Sequence, residues 1–161
     1  MQTNHKKALL VGINYRGSNN ELQGCINDVL NVKALLLKKG YLEQNIVLLT
    51  DDTLVKPTKT NIIKSLVDLL LSGSPQMYFH YSGHGTQVRD TNGDELDKTD
   101  EALCPIDYES NGMLLDDELR GLLQLVSEKQ TMTVVLDCCH SGSGLDLTYV
   151  AYSRLGSRVY S

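Results

Sequence analysis

Residues 76–85 read Gln76-Met77-Tyr78-Phe79-His80-Tyr81-Ser82-Gly83-His84-Gly85. The first seven residues have the length and apolar character of a buried strand, and the run breaks on a Gly-His-Gly turn. Working outward, residues 6–13 (KKALLVGI), 46–50 (IVLLT) and 131–137 (TMTVVLD) are further apolar runs of strand length. Helical spacing lies between them. Residues 25–39 carry Ile26, Val29, Leu30, Leu36 and Leu37, and Gly40 is a natural stop. Pro57 and Thr58 open a second helix with Ile62, Ile63, Leu66, Val67 and Leu70 on one face, closed by Gly73 and Pro75. Residues 115–126 carry Leu115, Leu119, Leu122, Leu123 and Val126 as a third helix. A short strand is predicted over 101–106, and a polar, acidic loop from Gly83 to about Thr99. Strands alternating with helices of these lengths predict parallel βαβ units with right-handed crossovers. The expected fold is therefore α/β, a mostly parallel sheet flanked by helices on both faces. In such sheets the chemistry lies beyond the carboxyl ends of the strands. Here those ends are the segments 12–24, 82–100 and 137–144, which are rich in Gly, Ser, His and Cys.

A length of 161 residues suits a single domain. The formal net charge of −5 argues against nucleic acid or an anionic membrane as the main partner. No stretch approaches the roughly 20 apolar residues of a membrane span. The run Ala8–Ile13 is too short for a secretory leader, so a cytoplasmic location is expected. The four cysteines, Cys25, Cys104, Cys138 and Cys139, are then expected to be reduced, and no CxxC pair suggests zinc.

Two strand ends carry nucleophile chemistry. One ends in Ser82-Gly83-His84-Gly85, the other in Asp137-Cys138-Cys139-His140-Ser141-Gly142. In a parallel sheet both ends lie at the same edge, and neighbouring strands are ~4.8 Å apart. His84 can thus reach a thiol that lies 55 residues further on (139 − 84). A thiol needs such a base to become the attacking thiolate. Backbone N–H groups of Gly83, Gly85 or Cys139 can serve a developing oxyanion. Successive strand residues face opposite ways, so only one of Cys138 and Cys139 can face His84. His140 is too close in sequence to aim its ring at the neighbouring sulfur and reads as structural. Ser141 and Ser143 do not satisfy GxSxG, which argues against a serine hydrolase.

The motifs YSGHG at 81–85 and DCCHSG at 137–142 resemble the His and Cys motifs of metacaspases, in the caspase-like cysteine peptidase superfamily. Gly24-Cys25-x-x-Asp28, the acidic run 92–95 and Leu115-Asp116-Asp117-Glu118 match in order and spacing, and the likeness covers about residues 6–148. The resemblance implies a three-layer caspase-like large-subunit domain over 1–161, with 149–161 a tail or the start of a linker and the small-subunit strands absent. It implies Cys139 as nucleophile, being the Cys directly before His-Ser-Gly, and His84 as base.

A pocket for a basic P1 side chain needs carboxylates. Asp137 stands two residues before Cys139, and Asp28 near the start of the first helix. By resemblance these form an acidic S1 pocket with Cys25 and Ser82, implying cleavage after Arg or Lys. A pocket for Asp would need arginines, and the strand-end loops offer only Arg16 and Arg89. Residues 90–118 hold eleven acidic residues against one basic residue, Lys98. Asp90, Asn92, Asp94 and Glu101 have partial EF-hand spacing, but Glu95 stands where that loop needs Gly. The resemblance implies a different Ca²⁺ site, at Asp100, Asp116, Asp117 and Asp146, that activates the enzyme. The expected function is a calcium-dependent cysteine endopeptidase acting on protein or peptide substrates with a basic P1. The alternative is a weak or inactive domain that binds calcium or a partner. A chain stopping at Ser161 is expected to leave an open sheet edge beside the last strand, to be covered by a small-subunit-like partner or by self-association.

Overall fold

The computed structural model describes residues 6–89, 99–139, 146–153 and 156–160, with side chains over 6–87 and 101–138. Among the described residues, eight strands and four α-helices follow one another. They are β1 (Lys6–Gly12), α1 (Cys25–Lys38), β2 (Ile46–Thr50), α2 (Lys59–Leu70), β3 (Gln76–Arg89), β4 (Thr99–Leu103), α3 (Tyr108–Asn111), β5 (Leu114–Leu115), α4 (Asp116–Leu123), β6 (Thr131–Cys139), β7 (Asp146–Ser153) and β8 (Gly156–Tyr160). The main sheet runs β2-β1-β3-β6-β7-β8. Its first four strands are parallel, while β7 and β8 join antiparallel.

The apolar strand runs are continuous because both faces are covered. Leu9, Val11, Met77, Phe79, Tyr81, Met132 and Val134 pack with Ile62, Leu66, Leu119 and Leu123 of α2 and α4. Ala8 and Leu10 face the other way, onto Val29 and Leu36 of α1. This is the expected three-layer arrangement. The helix signals also act as read. Thr58 Oγ1 accepts from the Asn61 N–H at the start of α2. Gly40 takes φ +93°, and Tyr41 N–H and Gly40 N–H bond Leu36 O and Leu37 O, which closes α1 in a Schellman turn. At Gly12 the helix comes very close. A Cβ there would lie 2.5 Å from Val29 Cγ2 and 2.8 Å from Cys25 O, so the glycine sets how near α1 sits to the strand end.

Three segments differ from the sequence reading. β3 does not end at Ser82. It runs through Gly83-His84-Gly85 to Arg89, changing partner from β6 to the antiparallel β4. His84 therefore sits on a strand and not in a loop. The glycines that suggested a turn instead let the strand pass between two pairings. The predicted strand 101–106 lies at Thr99–Leu103, and the third helix is the shorter Asp116–Leu123. Third, residues expected as a tail form β7 and β8, so β6 is covered by β7, and the main sheet ends at β2 and β8 among the described residues. The run Leu147–Ser153 is rich in β-branched and aromatic residues, and it takes up the hydrogen-bonding groups β6 would otherwise expose.

Candidate active site

β3 and β6 are in parallel register, with Ser82 opposite Asp137, Gly83 opposite Cys138 and His84 opposite Cys139. Strand alternation then sorts the positions. Positions 82, 84, 137 and 139 fall on the face that α1 covers. Positions 81, 83 and 138 fall on the α2–α4 face. Cys138 is half-buried and packs against the core cluster that contains Tyr81. It is spent on the core side, and register position 139 is the one beside His84. The side chain of Cys139, and residues His140, Ser141 and Ser143, lie outside the described residues.

His84 is held from several directions. Its Nε2 lies 2.6 Å from the carbonyl oxygen of Asn20, in the loop between β1 and α1. A carbonyl only accepts, so Nε2 carries the proton and the lone pair of the neutral ring lies on Nδ1. The ring lies against Tyr15, centroids 4.7 Å apart. Its backbone N–H donates to Tyr15 Oη (2.9 Å), and its carbonyl accepts from Tyr81 Oη (2.8 Å) and Cys104 N–H (3.1 Å). Burial pushes both phenols well above their ordinary pKa, so they remain protonated donors. Sequence reasoning missed Asn20 and Tyr15. Asn20 acts through its backbone, which no motif encodes.

The acidic residues meet next to this register pair. Ser82, almost fully buried, donates from Oγ to Asp28 Oδ2 at 3.4 Å. Asn14 Oδ1 accepts from the N–H groups of Cys25 and Ile26 (3.0 and 3.3 Å) and so anchors the start of α1, one turn before Asp28. Asp137 is half-buried, and desolvation first and the charge of Asp28 second push its carboxyl above the usual range. A cation placed between them would counter the effect of the Asp28 charge on Asp137. Arg16 does not occupy that role, since its guanidinium pairs with Asp52 at 3.0 Å. Of the residues expected around the pocket, Asp28, Ser82 and Asp137 are thus brought together, and Cys25 is buried at the first position of α1.

The same face holds His80, a residue the sequence reading passed over. It is 5% exposed, both ring nitrogens lack a hydrogen-bond partner among the described residues, and it stacks on Tyr78. Burial pulls its pKa down to about 4, against the opposing pull of Asp28. The unfolded chain takes up this proton near pH 6.5 and the folded protein only near pH 4, so stability falls as pH drops between those values. The loss attributable to His80 reaches about 3 kcal/mol at pH 4. Urea unfolding of the His80→Leu variant at pH 7 and pH 4 is expected to show an acid loss smaller than wild type by about that amount. Equal acid losses in the two proteins would show that His80 does not hold this proton.

The expected calcium residues are described only in part. Asp116 and Asp117 open α4, where β5 pairs with β4 at Ala102–Leu115. Asp116 is half-buried, bonds Arg120 Nε at 2.9 Å, and is pushed upward first by desolvation, with Glu101 and Asp117 adding to that and Arg120 opposing it. Asp100 lies on β4 opposite Val88, and Asp146 on β7 opposite Cys138. Their side chains, and the acidic run 90–98, lie outside the described residues. Among the described residues no group of three or more metal-ligating side chains converges.

A family model described as metacaspase, peptidase C14 domain, matches residues 6–148. Metacaspase-1 of Eremothecium gossypii is 45% identical over 161 residues, covering 96% of this chain and 35% of that protein. Metacaspase-1 of Ajellomyces capsulatus is 44% identical over 161 residues, covering 96% and 45%. The chain thus spans less than half the length of these relatives. Among solved structures, that of protein GSU0716 from Geobacter sulfurreducens superposes with a TM-score of 0.69 at 29% identity, over 86% of this chain and 52% of that one. The parallel sheet with His84 beside Cys139, the strand-end motifs and a family match across nearly all of its length lead to one assignment: this chain belongs to the metacaspases.

Proposed function

We propose that the protein is a calcium-activated cysteine endopeptidase that cleaves after Arg or Lys, with Cys139 as nucleophile and His84 as base. The observation that carries the reading is the register of His84 with Cys139 across β3 and β6. His84, protonated on Nε2 toward Asn20, takes the thiol proton on Nδ1. The thiolate attacks the scissile carbonyl carbon, and the oxyanion is met by the N–H groups of Gly85 and Cys139. The tetrahedral adduct collapses as His84 returns the proton to the leaving amine, which leaves a thioester at Cys139. Water, deprotonated by His84, hydrolyses the thioester and frees the thiol.

The basic preference is supported by Asp28 and Asp137, whose mutual repulsion a guanidinium or ammonium would relieve. Calcium is supported by the donor chemistry: Asp100, Asp116, Asp117 and Asp146 are hard oxygen ligands of the type Ca²⁺ takes. Desolvation first, with Glu101 and Asp117 adding to it and Arg120 opposing it, pushes the Asp116 carboxyl upward, and a cation there would counter that push. Bound there, Ca²⁺ would supply fixed positive charge that draws these carboxylates together, and Asp116 would exchange Arg120 for it.

The test is hydrolysis of peptides that differ only at P1, as Arg, Lys or Asp, with Ca²⁺ or with chelator. Turnover of the Arg and Lys peptides that rises with Ca²⁺ is expected. Cleavage confined to the Asp peptide would overturn the pocket, and equal rates in chelator would overturn the activator. A Cys139 that reacts with electrophiles no faster than an ordinary exposed thiol would favour a binding domain.

A further inference from the structure

We infer that Asp51 and Tyr15 are positioning residues for His84, a device that acts from the end of β2 across the sheet to the base. The inference rests on His84 as the catalytic base. It begins where β1 stops. Ile13 N–H still bonds Ser82 O at 2.9 Å, after which the chain turns away from β3. Along a strand every second residue directs its N–H and C=O to the same side. Those of His84 therefore point to the side where β1 has ended, and they need other partners.

Two phenols, with the Cys104 N–H on the His84 carbonyl, take the place of β1 there. Tyr15 Oη accepts the His84 N–H, and Tyr81 Oη donates to the His84 carbonyl. The two hydroxyls lie 3.1 Å apart, and both reach the carbonyl of Cys104, at 2.6 and 3.0 Å. Gly83 leaves them room. A Cβ there would stand 2.8 Å from Tyr81 Oη and 3.0 Å from Tyr15 Oη. The glycine before the base is thus explained by these hydroxyls and not by a turn.

Tyr15 reaches this place in an unfavourable conformation. Its φ is +52°, the left-handed region, and among the described residues it is alone in this apart from glycines. A strained residue persists only when its surroundings over-determine it. Here Ser18 holds the Tyr15 carbonyl through its N–H and Oγ (3.1 and 2.7 Å), and one carboxylate holds the residues on either side. Asp51 Oδ1 accepts the N–H of Asn14 at 2.8 Å and Oδ2 the N–H of Arg16 at 3.0 Å, so the two oxygens bracket Tyr15. The bracket aims the Tyr15 ring at the His84 ring and its hydroxyl at the His84 N–H. Neither Asp51 nor Tyr15 touches the scissile bond in this arrangement. Each acts by fixing where the imidazole stands relative to Cys139.

The experiment reads the thiol directly: the rate of Cys139 alkylation by iodoacetamide against pH, followed by mass spectrometry of the Cys139 peptide. A well-placed imidazole gives fast alkylation at pH 7 and an inflection below that of an ordinary thiol. Tyr15→Phe keeps the ring and removes the hydroxyl. Asp51→Asn removes one of the two acceptors. Each is expected to slow alkylation at pH 7 about tenfold and to raise the inflection by about one pH unit. Asp52→Asn, whose side chain bonds the Arg16 guanidinium, is expected to leave the profile unchanged. If Asp51→Asn does not fold, Tyr15→Phe carries the test alone. An unchanged pH profile in folded Tyr15→Phe, even with lowered thermal stability, would overturn the inference. His84→Ala separates the two claims: no change in that variant removes the base itself, whereas a change there with none in Tyr15→Phe removes only the positioning role.

Discussion

Alanine at Cys139 is expected to lower kcat for an Arg peptide by a factor on the order of 10⁴ or more, while alanine at Cys138 lowers it by less than about threefold. The two residues are adjacent and chemically identical, so the contrast comes from strand alternation alone. Cys138 packs on the α2–α4 side, against the cluster around Tyr81. Truncating a half-buried thiol there removes a few van der Waals contacts, about 1 kcal/mol of stability, and no reacting atom. Position 139 is the register partner of His84. If position 139 carries the nucleophile, the neighbour on the α2–α4 side cannot replace it. Steady-state kinetics on both variants, with unfolding curves to confirm that each is folded, decide the matter. A loss at Cys138→Ala as deep as at Cys139→Ala, in a folded protein, would mean that the β3–β6 register is shifted by one residue.

Several parts of this picture were legible in the sequence for a simple reason. Strands covered on both faces read as unbroken apolar runs, and β1, the first half of β3 and most of β6 are such strands, while β2 at the sheet edge leaves Val47 exposed. The helices announced their ends through Thr58 and Gly40, which supply a cap and a left-handed turn. What was not legible depends on pairing. The continuation of β3 from Gly83 to Arg89 is polar and glycine-flanked, and it is a strand because β4 returns beside it. β7 and β8 are strands in the same way, through the hydrogen bonds of β6. At the site, His84, Cys139, Asp28 and Asp137 stand out because they lie in dense motifs. Asn20 acts with a carbonyl, Tyr15 through a backbone angle, and Asp51 through two N–H groups 35 and 37 residues away. None of these leaves a mark that composition or spacing can carry.

Neutralising Asp28 is expected to lower kcat/KM for an Arg peptide by about 100-fold, and for a Lys peptide somewhat less. The argument starts from Asp137. Desolvation and the charge of Asp28 both hold its carboxyl above the usual range, so its full ionisation is opposed. An arriving guanidinium reverses both effects, because it replaces lost solvent with fixed donors and turns mutual repulsion into shared attraction. Asp28→Asn leaves Ser82 a side-chain oxygen to bond but removes half of the charge. It also removes one of the two causes that raise Asp137. A raised carboxylate pKa places the acid limb of kcat/KM higher than an ordinary carboxylate would. In Asp28→Asn that limb is therefore expected to move to lower pH even as the plateau drops. A change in the general fold would not produce this opposite movement. Iodoacetamide carries no P1 group, so alkylation of Cys139 in Asp28→Asn should match wild type. If alkylation fell in proportion to peptide hydrolysis, Asp28 would be acting on the nucleophile or on the packing of α1, and the acidic pocket would have to be sought elsewhere.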